Sequence, residues 1–144
     1  MLELPAPAKI NLHLLITGRD ARGFHLLDTS FAYVDAADVL HVGIADDIRV
    51  TCSDPRLNGE DNLVHRVLHA LRERFDPQPG SHVRRGLHVH IDKHLPSQAG
   101  LGGGSSDAAT ALLAANRLWG LNLDSAALID FASPYGADIP CFLF

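Results

Sequence analysis

Residues 95–109 contain the residue types and spacing best suited to chemistry in this sequence. Four glycines, at 100 and 102–104, are followed directly by Ser105 and Ser106, where a helical pattern begins. Glycine lets backbone N–H groups approach a ligand closely. The start of a helix adds unpaired N–H groups and the positive end of the helix dipole. Together these features predict an anion site, most naturally for phosphate, with the two hydroxyls as further donors or as ligands of a phosphate-bound Mg²⁺.

Familiar glycine-rich motifs do not account for this segment. A Walker loop ends in Gly-Lys-Ser/Thr, whereas this sequence reads Gly104-Ser105-Ser106 without a lysine. The dinucleotide fingerprint needs a third glycine where Ser105 stands, and the Gly-x-Ser-x-Gly nucleophile motif is absent. A flexible connector that ends in a helix cap stays open as the alternative to a ligand site.

The strands that would position this segment are indicated by alternating and β-rich patterns. The first strand has Lys9 and Asn11 on its polar side. We expect the third and fourth of the five patterns to form a hairpin around Ala45 and Asp46. The predicted strands cover residues 8–16, 24–34, 38–44, 47–52 and 87–91.

Helical patterns follow the strands at about 63–75, at about 105–119 and at 123–132. Asp61 or Asn62 can cap the first helix, and Gly120 stands where the second should end. The apolar run 141–144 has the pattern of a strand. Because strands mostly precede helices, we predict an α+β fold, with a mostly antiparallel sheet covered on one face by helices.

Composition limits the possible classes of function. The 144 residues suit one domain, and 47% apolar with 20% charged residues is ordinary globular composition. The formal charge of −5 disfavours nucleic acid and anionic membranes as partners. No apolar stretch approaches the ~18 residues of a membrane span, and the N-terminus lacks a signal-peptide pattern. Cys52 and Cys141 are expected to be free thiols in a reducing cytoplasm.

Five motifs resemble those of a known kinase superfamily. The segment from Pro96 to Ser106 resembles the phosphate loop of the GHMP kinases. Four others narrow the resemblance to the 4-diphosphocytidyl-2-C-methyl-D-erythritol kinase family within that superfamily. They are Pro7-Ala8-Lys9-Ile10-Asn11-Leu12, Gly23-Phe24-His25-x-Leu27-x-Thr29, Glu60-Asp61-Asn62-Leu63 and Gly136-Ala137-Asp138-Ile139-Pro140.

The resemblance implies a fold and an activity. The fold would be the N-terminal domain of GHMP kinases, an α+β fold similar to domain 2 of ribosomal protein S5. Residues 1–144 would form this ATP-binding domain, and the C-terminal GHMP domain would be absent from the chain. The activity would be ATP-dependent phosphorylation of the 2-hydroxyl of 4-diphosphocytidyl-2-C-methyl-D-erythritol in the non-mevalonate isoprenoid pathway. We expect the 144 residues alone to have little or no activity.

The resemblance also implies roles for individual residues. Asp138 would accept the hydroxyl proton and Lys9 would stabilise the transferred phosphoryl group, so we expect the two side chains to be in contact. Asn11, Phe24 and His25 would bind the substrate, Phe24 stacking on cytosine where the family usually has tyrosine. The residues expected to bind ATP are Asn62, Leu63, Lys93, Pro96, Ser97, Gln98, Ala99, Gly100, Leu101, Gly102, Gly103, Gly104, Ser105 and Ser106.

Asp107 carries a negative charge beside the expected phosphates. A carboxylate in the first helical turn suits the helix dipole, but it repels phosphate unless a cation intervenes. We therefore predict that Asp107, together with Ser106, holds the Mg²⁺ of ATP.

Roles without any contact to a ligand remain open for several of these residues. Asn62 could simply cap its helix, Leu63 could belong to the core, and Lys93 could be solvated. The histidine pair His65 and His69 is more typical of a solvated face than of a metal site.

Three other functions remain open at this point. One is a nucleotide-binding domain without turnover, and another is a GHMP kinase of the homoserine or mevalonate type. The third is an RNA-associated domain of the ribosomal S5 type, which the negative charge disfavours. As a kinase, the protein would act on a small molecule in the cytoplasm, as a monomer or a homodimer.

Overall fold

The computed structural model of the chain describes residues 1–19, 21, 25–75, 86–96 and 103–143. For residues 10–19 and 25–35 the backbone alone is described.

Two long strands form one side of the sheet. Strand β1 (Leu2–Arg19) pairs antiparallel with β2 (His25–Ala45), and the register shifts between Pro7 and Ala8 and at two later points. The two patterns predicted at 24–34 and 38–44 are therefore parts of one continuous strand. Pairing with β1 on both sides keeps β2 extended through the Ala-rich stretch between them, where β propensity is low and the register with β1 shifts.

The other two strands complete a mixed sheet in the order β1-β2-β4-β3. Strand β4 (Gly86–Asp92) pairs antiparallel with β2, and β3 (Arg49–Cys52) pairs parallel with β4. The predicted hairpin around Ala45 and Asp46 is wrong, because the two edges of β2 are occupied by β1 and β4. A parallel pair needs a crossover connection, and a helix between β3 and β4 supplies it.

Three helices follow the predicted pattern closely. They are α1 (Leu63–Phe75), α2 (Gly103–Leu118) and α3 (Ser125–Ala132). The Asn62 side chain accepts a hydrogen bond from the backbone N–H of Val64, and the Asp124 side chain caps α3 at Ala127. Gly120 has a φ of 64°, the left-handed conformation that ends a helix most easily with glycine.

The described part of the apolar run predicted as a strand is not a strand. Residues Ile139–Phe142 form a 3₁₀ turn, in which the N–H groups of Cys141 and Leu143 bond to carbonyls three residues earlier. A second 3₁₀ turn, Ser133–Tyr135, precedes it and a third, Pro55–Leu57, follows β3. The local hydrogen bonds satisfy the backbone without a partner strand.

One face of the sheet and the helices enclose the core. Alanines at 108, 109, 111, 114 and 115 are buried along α2, which packs against α1, β1 and β2. Such small side chains let a helix lie close to a sheet. The α+β prediction is confirmed, with two antiparallel pairings and one parallel pairing. Within the described ranges, no helix combines the length and apolar content that a bilayer span requires.

Candidate functional site

Lys9, near the middle of β1, meets Asp138. Lys9 Nζ lies 3.7 Å from Asp138 Oδ1, so the predicted contact between the two side chains is confirmed. The lysine side chain is 3% exposed and the aspartate side chain 46% exposed. A buried ammonium is costly unless a charge or hydrogen bond compensates it, and Asp138 provides an opposite charge.

The burial of Lys9 differs from the strand pattern, which placed it on an exposed polar side. Ala8 and Lys9 are both buried although they are neighbours in β1. Consecutive strand residues point to opposite faces, so β1 is covered on both faces at this point, and Asp138 contacts Lys9 on one of them.

The start of α2 lies next to the segment that carries Asp138. A β-carbon on Gly136 would be 3.9 Å from Ser105 Oγ and 3.3 Å from Ile139 Cδ1. Since Gly136 has an extended φ of 177°, space rather than backbone conformation favours glycine there. The close approach places the first turn of α2 beside the Lys9–Asp138 pair.

The first turn of α2 keeps the properties expected of an anion site. Gly104 is exposed with open space where a β-carbon would be, and Ser105 is half-buried. The first N–H groups of an α-helix have no partner within the helix. Helix α2 begins at Gly103, so Gly103 and Gly104 belong to the helix and not to the loop before it. Pro96 is exposed at the other side of the segment, and the predictions for residues 97–102 lie outside the described residues.

A buried ionic network lies behind this turn. Lys93 Nζ is 2.7 Å from Asp38 Oδ2 and 3.2 Å from Asp107 Oδ2. Asp38 Oδ1 accepts hydrogen bonds from the backbone N–H groups of His94 at 2.7 Å and Leu95 at 2.8 Å. The Lys93 side chain is 9% exposed, and protein carboxylates bind its ammonium. The alternative of a solvated Lys93 is therefore wrong.

The charges in this network are unequal. Burial alone would raise the pKa of Asp38, but the hydrogen bonds from Lys93 and from the N–H groups of Leu95 and His94 hold it below its usual value. Burial raises the pKa of Asp107 to about 8, which the attraction of Lys93 does not offset. Asp38 is thus the ionised partner of Lys93, and the pKa of Asp107 lies well above that of an ordinary carboxyl group.

The Asp38 carboxylate is a residue that sequence reasoning missed. It stands within a long β-rich stretch without any motif around it. The one available signal was a charged side chain in a strand otherwise suited to burial, where an unpaired carboxylate is costly. Its partners follow much later in the chain, so spacing did not reveal the network.

Two oxygens at the start of α2 fit the predicted magnesium site. Ser106 Oγ and Asp107 Oδ1 are buried and, within the described part of the chain, have no hydrogen-bond partner. Hydroxyl and carboxylate oxygens are the ligands that Mg²⁺ prefers. The second Asp107 oxygen is already bound by Lys93, so Asp107 has one oxygen left for a cation. The metal role of the two residues stays a prediction.

A polar cavity of about 440 Å³ adjoins the network. The residues around it include Lys93 and Pro96, which were predicted to bind the nucleotide. Its described lining comprises Ser53, Asp54, Arg56, Lys93, His94, Leu95 and Pro96. Both cations of this lining are paired, Lys93 with Asp38 and Arg56 with Asp54.

Asn62 and Leu63 are not part of the described lining of that cavity. Asn62 caps α1 through its oxygen, and its Nδ2 donates to the carbonyl of Leu57. Leu63 is half-buried and packs against the core. The structure thus gives both residues the roles that were left open, helix capping for Asn62 and core packing for Leu63. Their nucleotide contacts stay predictions.

The three predicted substrate residues are described only in part. Asn11 pairs with Phe31 across the first two strands, two positions after Lys9, and His25 begins β2 opposite Arg19. Their side chains, and Phe24 as a whole, lie outside the described residues. Their contacts with a cytosine ring therefore stay predictions.

Several of the described histidines have side-chain partners. His65 Nε2 and His69 Nε2 are 3.1 Å apart on α1, and His90 Nδ1 is 2.8 Å from Thr51 Oγ1. The side chains that the structure describes contain no group of three or more histidine, cysteine or carboxylate ligands. Cys52 and Cys141 are both free thiols, as expected.

A family comparison supports the resemblance found in the sequence. The family model described as the GHMP kinases N terminal domain matches residues 62–144.

Curated relatives are similar over the whole chain. A 4-diphosphocytidyl-2-C-methyl-D-erythritol kinase of Paracidovorax citrulli is 46% identical over 142 residues, covering 98% of this chain and 48% of that protein. The protein of the same name from Bordetella pertussis is 43% identical, covering 100% of this chain and 47% of its own length. The chain therefore spans about half the length of the curated relatives it matches.

Solved structures share the fold. A crystal structure of 4-(cytidine 5'-diphospho)-2C-methyl-D-erythritol kinase is 37% identical, with a TM-score of 0.75, and covers 99% of this chain and 48% of its own. Homoserine kinase from Cytophaga hutchinsonii is 22% identical with a TM-score of 0.59, covering 77% of this chain and 36% of its own. At that identity the likeness concerns the fold alone.

Proposed function

The chain belongs to the GHMP kinase N-terminal domain family, and from that premise we propose that its protein is a 4-diphosphocytidyl-2-C-methyl-D-erythritol kinase. In this proposal the protein transfers the γ-phosphoryl group of ATP to the 2-hydroxyl of the cytidine-diphosphate sugar alcohol. The described chain supplies the nucleotide-binding side of the site together with the Lys9–Asp138 pair.

The observation that carries the proposal is the contact between Lys9 and Asp138 beside the first turn of α2. It brings a carboxylate, an ammonium and a helix N-terminus to one place, which are the groups that phosphoryl transfer to an alcohol uses. Asp138 is exposed enough for a substrate to reach, whereas Lys9 is held in the protein.

The reaction follows from these positions. The substrate hydroxyl gives its proton to Asp138 as its oxygen forms a bond to the γ-phosphorus of ATP. The bond between that phosphorus and the oxygen bridging to the β-phosphate breaks in line, and ADP leaves with the bond's electron pair. Lys9 stabilises the negative charge on the transferred group, and no phosphoenzyme forms.

The nucleotide phosphates are proposed to bind at the start of α2. The N–H groups of Gly104 and Ser105 belong to its first turn, and the helix dipole favours anions there. Ser106 and Asp107 would hold Mg²⁺, which supplies positive charge against the phosphate oxygens when bound. The cavity lined by Lys93 and Pro96 adjoins the ionic network behind this turn, and the rest of the nucleotide is proposed to bind there.

Other parts of the proposal depend on the likeness to relatives. Phe24 and His25 are proposed to recognise cytosine, and the protein is proposed to act in the cytoplasm as a monomer or a homodimer. Because the curated relatives are about twice as long as this chain, we propose that the 144 residues alone have little or no kinase activity.

The test uses the protein in its natural full length. ADP release is measured with ATP and Mg²⁺ in the presence of 4-diphosphocytidyl-2-C-methyl-D-erythritol, homoserine, mevalonate or no acceptor. Turnover with the cytidine-diphosphate substrate alone is expected. Turnover with homoserine or mevalonate would assign another GHMP kinase activity, whereas nucleotide binding without turnover on any acceptor would indicate a binding domain.

A further inference from the structure

One carboxylate holds the two segments that flank the glycine-rich stretch 96–102. On one side, Asp38 Oδ1 accepts the backbone N–H groups of His94 and Leu95, just after β4. On the other side, Asp38 Oδ2 binds Lys93 Nζ at 2.7 Å, and the same ammonium reaches Asp107, which follows the first turn of α2. Asp38 itself lies on β2, the strand between β1 and β4.

The arrangement is closely fitted. Asp38 is fully buried, and its two oxygens accept hydrogen bonds from residues 93–95. A β-carbon on Gly103 would lie 3.4 Å from Lys93 Nζ and 3.5 Å from Leu95 Cβ. These are ordinary van der Waals distances, so the first residue of α2 packs next to Lys93 and Leu95.

We propose that Asp38 is a positioning residue for the nucleotide phosphates, acting through the end of β4 and the start of α2. By holding both segments, it sets the place of the α2 N-terminus before a nucleotide binds. A donor array that is fixed in advance binds its ligand without an ordering cost. This inference rests on the proposed function, since it assigns the phosphates to the first turn of α2.

Asp38 cannot contact the nucleotide directly, because its side chain is completely buried and its oxygens are occupied. Its influence would therefore appear in nucleotide affinity and not in the chemical step. Asp138 and Lys9, which we assign to the chemical step, make none of the contacts described for Asp38.

The main variant is Asp38→Asn in the full-length protein. The amide oxygen can still accept the N–H groups of His94 and Leu95, but its NH₂ group faces the Lys93 ammonium without charge attraction. We expect the Kd of a non-hydrolysable ATP analogue and the KM for ATP to rise ~10- to 100-fold, as when a supporting partner is removed behind a binding group. At saturating ATP, kcat and the KM for the alcohol should stay within about twofold of the unsubstituted protein.

A second comparison serves in case Asp38→Asn does not fold. Lys93→Met removes the buried ammonium, and the combination Lys93→Met with Asp38→Ala also removes the acceptor of the two N–H groups. Any direct contact of Lys93 with the nucleotide is lost equally in both variants. A further loss of analogue affinity in the combination therefore reports on Asp38 itself.

The control variant is Asp124→Ala, which removes the N-cap of α3 far from these contacts in sequence. It lowers stability without touching residues 93–95 or α2, so its analogue Kd should not change. If Asp38→Asn lowers the melting temperature but leaves the analogue Kd unchanged, the inference is overturned and the proposed function stands. If the unsubstituted protein does not bind the analogue, both are overturned.

Discussion

The Lys9 ammonium lies 3.7 Å from the Asp138 carboxylate, and the aspartate side of the pair is the one that faces solvent. The Lys9 side chain is almost fully buried, whereas the Asp138 carboxylate is open to an incoming hydroxyl group. This asymmetry suits a fixed stabilising charge beside a base that must meet its substrate.

Asp138→Asn should abolish the proton acceptor and leave the fold intact. We expect kcat of the full-length protein to fall ~10²- to 10⁴-fold, the usual contribution of a general base. The Kd of an ATP analogue should stay within about twofold, because α2 is unchanged. Steady-state kinetics and calorimetry check the two values, with Asp130→Asn, at an exposed position of α3, as the matched control. An Asp138→Asn enzyme with ordinary kcat would remove the base assignment.

Lys9→Met should slow the chemical step while preserving nucleotide binding. Loss of one group that stabilises developing charge lowers kcat by ~10²- to 10³-fold in comparable sites. Single-turnover kinetics with the cytidine-diphosphate substrate measures this step directly. Arg117→Met, which removes a positive charge from an exposed position on α2, is the control and should keep its rate. Equal rates for the Lys9 and Arg117 variants would contradict the role of Lys9.

The pH dependence of stability should carry the signature of Asp107. Burial raises its pKa from 3.8 to about 8, so between these pH values the folded chain holds a proton that the unfolded chain has released. Stability contributed by this proton is present at low pH and is lost as the pH rises through that window. Asp107→Asn, which resembles the protonated form, should flatten the decline.

Urea unfolding at several pH values, without nucleotide or divalent cation, gives the free energies needed for this comparison. Asp130→Asn again serves as control, because its carboxylate is solvated, and it should keep the slope of the unsubstituted protein. Parallel profiles for the Asp107→Asn variant and the unsubstituted protein would show that Asp107 is ionised in the folded state.

Gly136→Ala should disturb the junction between Asp138 and α2. The new β-carbon would lie 3.3 Å from the fully buried Ile139 side chain, which has little room to move. We expect a loss of ~1–3 kcal/mol in the free energy of unfolding, as in overpacked cores, together with a lower kcat. In the control Gly43→Ala, the β-carbon meets only the Met1 side chain at 3.8 Å or more. Equal stability of both variants would show that the Gly136 junction adapts freely.

Local patterns predicted the helices well because their causes are local. Helix α1 buries Val64, Val67, Leu68 and Leu71, which follow a 3.6-residue period. Its start is set by the side chain of Asn62, and that of α3 by Asp124. Such signals depend on residues within one turn of each other, so the sequence alone reveals them.

Pairings between distant segments could not be predicted in the same way. Residues 49–52 have the pattern of a strand, but the pattern does not show which strand they pair with. In the sheet they join the edge of β4 that β2 does not occupy. The burial of Lys9 beside Asp138 depends on a segment far along the chain, which strand alternation does not show. The contact of Lys9 with Asp138 was expected from the family resemblance, whereas Asp38 had neither a motif nor a resemblance to indicate it.

The position of β4 between β2 and β3 has a consequence for how this chain is made. Protein synthesis delivers β1, β2 and β3 before β4, yet residues 86–92 supply the partner for both β2 and β3. Pairings of such large sequence separation form slowly, and unpaired strand edges are prone to aggregate meanwhile. The newly made chain therefore carries an open edge on β2 until the ribosome has released residue 92.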